Sequence, residues 1–258
     1  MPEGDIVWYT ARRLHEALGG KVLTRSDFRV PRLATADLAG DVVTETVARG
    51  KHLLTRTNSG LTVHTPPKMD GSWRIRPAAE RPRDSHRIRL LLANEDWQAI
   101  GYQLGVVELI RTSEESRVTG HLGPDLLGPD WDRAEAVRRL SAQPDRPIAE
   151  ALLDQRNLAG IGNIYATEML FLRGVNPQRP VGEVTDLDAL VELGRRLLEA
   201  NKARVGHVTT GVWRRGEETW AYGRAGRQCR RCGARISRAE QGDPGQERVR
   251  FWCPHCQR

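Results

Sequence analysis

His52-Leu53-Leu54-Thr55-Arg56-Thr57-Asn58-Ser59-Gly60-Leu61-Thr62-Val63-His64-Thr65 reads as two short strands joined by a tight turn. Leucine, valine and threonine suit a pleated, half-buried surface, and Asn-Ser-Gly supplies residues that tolerate a reversal of the chain. The pattern continues on both sides. Upstream candidates lie at 22–30 and 41–48. Downstream ones lie at 72–76, 87–93, 97–102 and 106–110, with a second turn at Asn94-Glu95-Asp96. Many short strands at regular spacing predict a β-sandwich or barrel.

Helical patterns flank this block. Residues 4–18 place Ile6, Tyr9, Leu14 and Leu18 roughly on one face, and Gly19-Gly20 stop the run. After the strands comes Gly123-Pro124-Asp125-Leu126-Leu127-Gly128-Pro129-Asp130, which reads as an interdomain linker. Helices are then expected at 132–141, with Asp132 as cap, at 148–154 and 164–172 on either side of a glycine turn, and at 186–200. The expected fold class is α+β: an N-terminal β-sandwich with a leading helix (1–122), a linker (123–131), a helical domain (132–225) and a cysteine-bearing module (226–258). No internal repeat or low-complexity tract interrupts this order.

A chain of 258 residues can bury one or two cores, and two domains are the natural expectation. The net charge of +7 favours a polyanionic partner, nucleic acid first. The charge is mostly arginine; lysine occurs only at 21, 51, 68 and 202. Nothing near the start resembles a signal peptide, and no apolar run approaches the ~20 residues that span a bilayer. A cytoplasmic protein with no membrane association is expected, close to the nucleoid if bacterial.

Cys229-Arg230-Arg231-Cys232 and Cys253-Pro254-His255-Cys256 form two matched pairs. Each pair can grip one face of a tetrahedral metal, and 234–251 is long enough for a hairpin between them. Two disulfides or a redox pair are the rival readings, and neither suits a cytosolic chain with matched pairs. One structural Zn2+ per chain is expected on Cys229, Cys232, Cys253 and Cys256, closed to water because all four positions are filled. Arginines crowd the module, a composition suited to phosphate.

Asn157-Leu158-Ala159-Gly160-Ile161-Gly162-Asn163-Ile164-Tyr165-Ala166 puts two glycines and an asparagine before a helix. Free N–H groups there bind anions, and Asn163 can donate its amide to the same oxygen. The bland alternative is a tight helical hairpin. At the other end, Pro2 would become the N-terminus if Met1 is removed. Its secondary amine would titrate near ~7.7–8.0, and Glu3 stands beside it. The pair reads as an imine-forming nucleophile with a general acid/base.

Taken in order, these motifs resemble the formamidopyrimidine-DNA glycosylase/endonuclease VIII family over nearly the whole chain. The resemblance rests on the Pro2-Glu3 start, Arg49-Gly50-Lys51-His52-Leu53, Met69-Asp70-Gly71-Ser72-Trp73, Gly123-Pro124-Asp125, the segment 154–170 and the terminal cysteines. Gly4 resembles the endonuclease VIII branch, where the other branch usually has leucine.

The resemblance implies a helix–two-turn–helix at 154–170, a zinc finger, and a glycosylase with AP lyase activity on damaged DNA. Pro2 would attack C1′ and Glu3 would move protons. Lys51, Asn163 and Arg248 would grip phosphates, with Lys51 also serving catalysis, and Met69 would fill the hole left by the extruded nucleotide. A monomer without a nucleotide cofactor is expected. Two positions depart from the family pattern: Pro66-Pro67 replace a common His-Leu, and Ile6 replaces a second acidic residue.

Oxidised pyrimidines are the expected lesions, with oxidised purines as the alternative. A non-catalytic protein that shields abasic or single-stranded DNA, and a zinc-ribbon adaptor for protein or RNA, are the rivals from other classes.

Overall fold

The computed structural model describes every residue except 1, 67–69, 81–84 and 243–246. The chain divides into two compact units, Met1–His121 and Leu122–Arg258.

The first unit opens with helix α1 (Gly4–Leu18). Its buried stripe runs through Val7, Ala11, Leu14 and Leu18, a spacing of four, three and four. The stripe expected from the sequence is corrected on its first turns, where Ile6 and Tyr9 are only half-buried. Ala11 supplies no bulk to a hydropathy pattern, yet its small side chain lets the helix approach the sheets. The turn residues Gly19-Gly20 end the helix as expected, with the Gly19 N–H bonded to the His15 carbonyl at 2.8 Å.

Eight strands follow among the described residues: β1 (Arg25–Phe28), β2 (Val43–Arg49), β3 (His52–Thr57), β4 (Leu61–His64), β5 (Ser72–Pro77), β6 (Ile88–Ala93), β7 (Trp97–Tyr102) and β8 (Glu108–Arg111). They form two antiparallel sheets, ordered β1-β6-β7-β5 and β2-β3-β4-β8. Leu90, Leu92 and Ala99 from one sheet meet Val43, Leu53 and Val63 from the other, together with the α1 stripe. A sandwich is the physical answer to strands that carry apolar residues on one face each. Gly60 turns β3 into β4 with φ 77°, and Asn94 closes β6 onto β7 by accepting from the N–H groups of Asp96 and Trp97.

In the second unit, Leu122 to Leu126 are buried. The Gly/Pro-rich stretch read as a linker is therefore packed at its start: the Gly123 N–H bonds the Gln155 carbonyl, and Asp125 bridges Ala159. Helices α3 (Arg133–Ser141), α4 (Ile148–Leu153), α5 (Asn163–Arg173) and α6 (Leu187–Asn201) surround Leu140, Leu152, Tyr165, Met169 and Leu198. The short helix α2 (Ser116–Thr119) precedes them in the first unit.

Asp132 caps α3 by accepting from the Glu135 N–H, and Asp186 caps α6 in the same way with Ala189. Gly194 sits mid-helix because a Cβ there would lie 2.8 Å from the Met169 methyl; its absence lets α6 press on α5. The chain ends in the hairpin β9 (Ser237–Gln241) and β10 (Arg248–Trp252). Among the described residues no helix is long and apolar enough to cross a membrane.

Candidate functional site

In the first unit the N-terminal constellation sits where the chain enters α1. Glu3 is the N-cap residue: its backbone is extended and its carbonyl accepts the first helical N–H, from Val7, at 3.1 Å. The residue is 1% exposed, whereas Pro2 is half-buried. A carboxylate at this end of a helix sits in the favourable field of the unpaired N–H groups. Lys51 lies in the two-residue turn between β2 and β3, with Arg49 and His52 paired across it and Gly50 at φ 55°. Glycine takes that left-handed conformation without the Cβ clash of other residues. Helix α1 packs on β2 and β3, so the elements bearing Glu3 and Lys51 belong to one core. Met69 and Lys68, with Pro67 of the Pro66-Pro67 departure, lie outside the described residues.

A histidine chain with no counterpart among the sequence motifs lies beside this turn. His52 Nδ1 meets His64 Nε2 at 2.8 Å, and His64 Nδ1 meets Glu108 Oε2 at 2.7 Å. Because a carboxylate only accepts, Nδ1 of His64 carries a proton, and His52 Nδ1–H can donate onward to a neutral His64. Burial, then the neighbouring His64 and His121, push His52 down to about 4, against a smaller opposing pull from Glu108.

A histidine whose folded value is depressed contributes stability in its neutral form. That contribution is complete above about pH 6.5 and is lost progressively down to about pH 4. It amounts to at most about 3 kcal/mol. Replacing His52 by Asn is expected to flatten the dependence of Tm on pH across that window, measured by calorimetry; an unchanged slope would contradict the assignment.

In the second unit α4 leads through a double turn into α5. Gln155 holds the turn: its amide donates to the carbonyls of Leu153 and Ile161, and its Oε1 accepts from the Gly160 N–H. Gly160 takes φ 107°. Asp154 anchors the first turn through Arg156 and Arg146, and these partners, Arg156 foremost, hold its carboxyl well below the usual range.

Asn163 then begins α5 and faces strand β10. Its Nδ2 donates to the Val249 carbonyl at 2.8 Å, and its Oδ1 accepts from Arg250 Nη1 at 2.6 Å. The amide orientation follows from these two partners, and one amide hydrogen is left over. The expectation that this amide serves an anion directly therefore needs enlarging: Asn163 also docks the terminal hairpin onto the helix start.

Arg248 is exposed, two residues from Arg250 and so on the same face of the strand. Arg250 itself is 3% exposed, and burial pushes its guanidinium down to about 10. Nothing in the arginine-rich composition distinguished it from its exposed neighbours.

The four cysteines converge. All Sγ atoms lie within 4.8 Å of one another, with Cys229–Cys256 at 3.9 Å and Cys232–Cys253 at 3.4 Å. None is in a disulfide. A tetrahedral Zn2+ with Zn–S near ~2.3 Å needs sulfur separations of about 3.8 Å, so the residues present fit that ion. Cys229 and Cys253 are buried with Phe171, Ala221 and Ile236, and Gln257 ties the module to the helices by bonding the Cys253 N–H and the Val175 carbonyl.

Glu168, on α5, was also missed. It is fully buried and accepts from the N–H groups of Trp220, Ala221 and Tyr222 at 2.7–2.8 Å, and from the Thr209 hydroxyl. Burial pushes its carboxyl up, and these four donors pull it the other way. One side chain thus fixes the two ends of the segment 209–222. Replacing Glu168 by Ala leaves three buried N–H groups without an acceptor and is expected to cost about 3–5 kcal/mol. Urea unfolding checks this; a loss under about 1 kcal/mol would refute the clamp.

Comparison with known proteins matches these two regions separately. Residues 1–101 match the formamidopyrimidine-DNA glycosylase N-terminal domain, and residues 122–200 match the formamidopyrimidine-DNA glycosylase H2TH domain. The chain is 55% identical to a probable endonuclease 8 2 of Streptomyces coelicolor, covering 100% of this chain and 94% of that protein. It is 49% identical to the DNA-(apurinic or apyrimidinic site) lyase Nei2 of Mycolicibacterium smegmatis, covering 100% and 99%.

Among solved structures, a Lactococcus lactis Fpg (MutM) in complex with DNA containing N7-benzyl-Fapy-dG superposes with a TM-score of 0.83 at 24% identity, over 100% of both chains. That likeness concerns the fold. With both domain matches in order along one chain, and relatives of matching length sharing about half its residues, the chain belongs to the formamidopyrimidine-DNA glycosylase family.

Proposed function

We propose that this protein is a base-excision repair DNA glycosylase with AP lyase activity, acting through an imine on Pro2. The observation that carries the reading is the buried carboxylate of Glu3 at the start of α1, next to the residue whose amine would be the nucleophile. Relatives that are half identical bear endonuclease 8 and AP lyase names, which support the same reaction class.

After removal of Met1, the Pro2 nitrogen attacks C1′ of the damaged nucleotide and the base leaves with its electron pair and a proton. Glu3 moves protons to and from the opening sugar. The iminium draws electrons from the C2′–H bond, so loss of that proton expels the 3′ phosphate. A second elimination expels the 5′ phosphate, and hydrolysis of the imine frees Pro2.

Lys51, Asn163 and Arg248 are assigned to phosphates beside the lesion, and Met69 to the vacated stack. The extruded nucleotide makes chemistry on its sugar possible. Zn2+ on the four cysteines would be structural, holding β9 and β10 with no coordination position open to substrate. Residues 1–122 are assigned the chemistry, and the helical and cysteine-bearing regions the grip on DNA. A cytoplasmic monomer acting on oxidised pyrimidines completes the reading.

Duplex DNA with an abasic site, incubated with the protein and reduced by borohydride, is expected to give a covalent adduct mapping to Pro2. Binding without a trappable adduct would favour the shielding protein. Excision assays on oxidised pyrimidine and purine duplexes then decide the lesion class.

A further inference from the structure

Strand β6 contains an irregularity that the proposed chemistry does not use. Ile88 pairs with Tyr102 and Leu90 pairs with Gly101, so Arg89 is an extra residue at a β-bulge against β7. The bulge reverses the inside–outside alternation: Ile88, Leu91 and Ala93 share one apolar cluster, while Leu90 and Leu92 join the sandwich core. Bulges re-aim side chains, and they recur beside ligand sites.

Opposite the bulge, Gln103 takes φ 49°, the one non-glycine residue with positive φ among the described residues. Its N–H bonds the Arg87 carbonyl at 2.7 Å, which ties the two loops together. Between them is an open hollow of about 340 Å³ lined by His86, Arg87, Arg89, Gln103, Leu104 and Gly105.

No acidic residue is among those lining residues. Several other arginines in the unit are paired: Arg25 and Arg29 with Asp27, Arg56 with Glu45 and Glu115, Arg76 with Glu80. Arg87 and Arg89 have no carboxylate partner among the described residues, and Arg87 is exposed. Both guanidinium groups line the hollow without a carboxylate to compete for them, and a tetrahedral oxyanion is the acceptor that matches their fork of N–H donors.

We propose that this hollow is a phosphate site that takes a phosphodiester of the DNA backbone, separate from the grip assigned to Lys51, Asn163 and Arg248. The inference rests on DNA being the substrate. Arg87 and Arg89 supply charge-assisted donors, and the exposed Gln103 amide can add a neutral one. The tied loops hold these groups in place before DNA arrives.

The test measures duplex affinity against salt for the wild type, Arg87→Gln, the double variant Arg87→Gln/Arg89→Gln and Lys51→Ala, with thermal melts to verify folding. The double variant is expected to bind several-fold more weakly at low salt and to lose about 0.9 from the slope of log K against log salt for the one phosphate given up. Arg87→Gln, altering an exposed side chain, should move in the same direction, and Arg87→Lys should restore the slope. The borohydride adduct at saturating DNA should be unchanged.

An unaltered slope in both variants, alongside a reduced one in Lys51→Ala, overturns this site and leaves the repair function standing. Failure of the wild type to bind duplex overturns the repair function itself. Thermal stabilisation by inorganic phosphate that depends on Arg87, with no change in duplex binding, assigns the hollow to free phosphate and overturns its place on DNA.

Discussion

A chain that keeps Met1, or whose Pro2 amine is acetylated, is expected to give no borohydride-trapped adduct, a drop on the order of a thousandfold or more. Either change removes the secondary amine: retained Met1 turns the proline nitrogen into an amide, and acetylation does the same directly. The loss cannot be made good by lysine. An α-amine with a pKa near ~7.7–8.0 is free in roughly one molecule in ten at neutral pH, whereas a lysine near ~10.4 is free in about one in several thousand.

Pro2→Gly keeps an amine but loses its secondary character and the ring that limits its orientation, so a weakened adduct is expected. Glu3→Gln should bind abasic DNA with little change while the rate of adduct formation falls about 10²–10⁴-fold, the usual worth of a positioned proton donor. These arms are read by gel and by mass mapping of the trapped peptide. An adduct of wild-type yield on the acetylated chain, mapping to Lys51 or elsewhere, would refute the assignment of Pro2.

The second large effect concerns the four cysteines. Purified protein is expected to contain one Zn2+ per chain by elemental analysis. Chelation, or Cys232→Ser, is expected to lower duplex affinity on the order of a hundredfold and to abolish cooperative melting of the terminal hairpin. Two strands of five residues each cannot stand alone in water. Their support comes from Phe171, Ala221 and Ile236 packed on Cys229 and Cys253, so releasing the sulfurs dismantles that cluster. Asn163 then loses the Val249 carbonyl and Arg250, and the start of α5 loses its neighbour. The helices around Tyr165 and Met169 have a separate core and should keep their helical circular dichroism. Undiminished DNA binding by protein shown to be free of metal would contradict the structural role.

The elements most legible in the chain are those whose cause is local. Strands β3 and β7 begin and end where alternation and turn residues place them, because a period of two and an Asn-rich turn act over a few residues. Asp132 stands immediately before its helix for the same reason: a cap bonds an N–H three residues away. The cysteine spacing carried its geometry openly, since two short turns can each supply two sulfurs to one point.

Tertiary structure alone decided which polar side chains are spent on the fold. Arg250 reaches Asn163 from 87 positions away, and Glu168 accepts from N–H groups 52 to 54 positions away. In sequence, one is an arginine among arginines and the other a glutamate on an amphipathic helix. The His52–His64–Glu108 chain arises from pairing between β3, β4 and β8, and the bulge at Arg89 from register against β7. The burial of Leu122 to Leu126 likewise depends on partners at Gln155 and Ala159. A residue's pattern records what it prefers, whereas the satisfaction of a buried charge or N–H depends on which distant atom arrives beside it. Short-range periodicity therefore determined the elements and the chemical inventory, and long-range packing determined which of those groups remain available to a substrate.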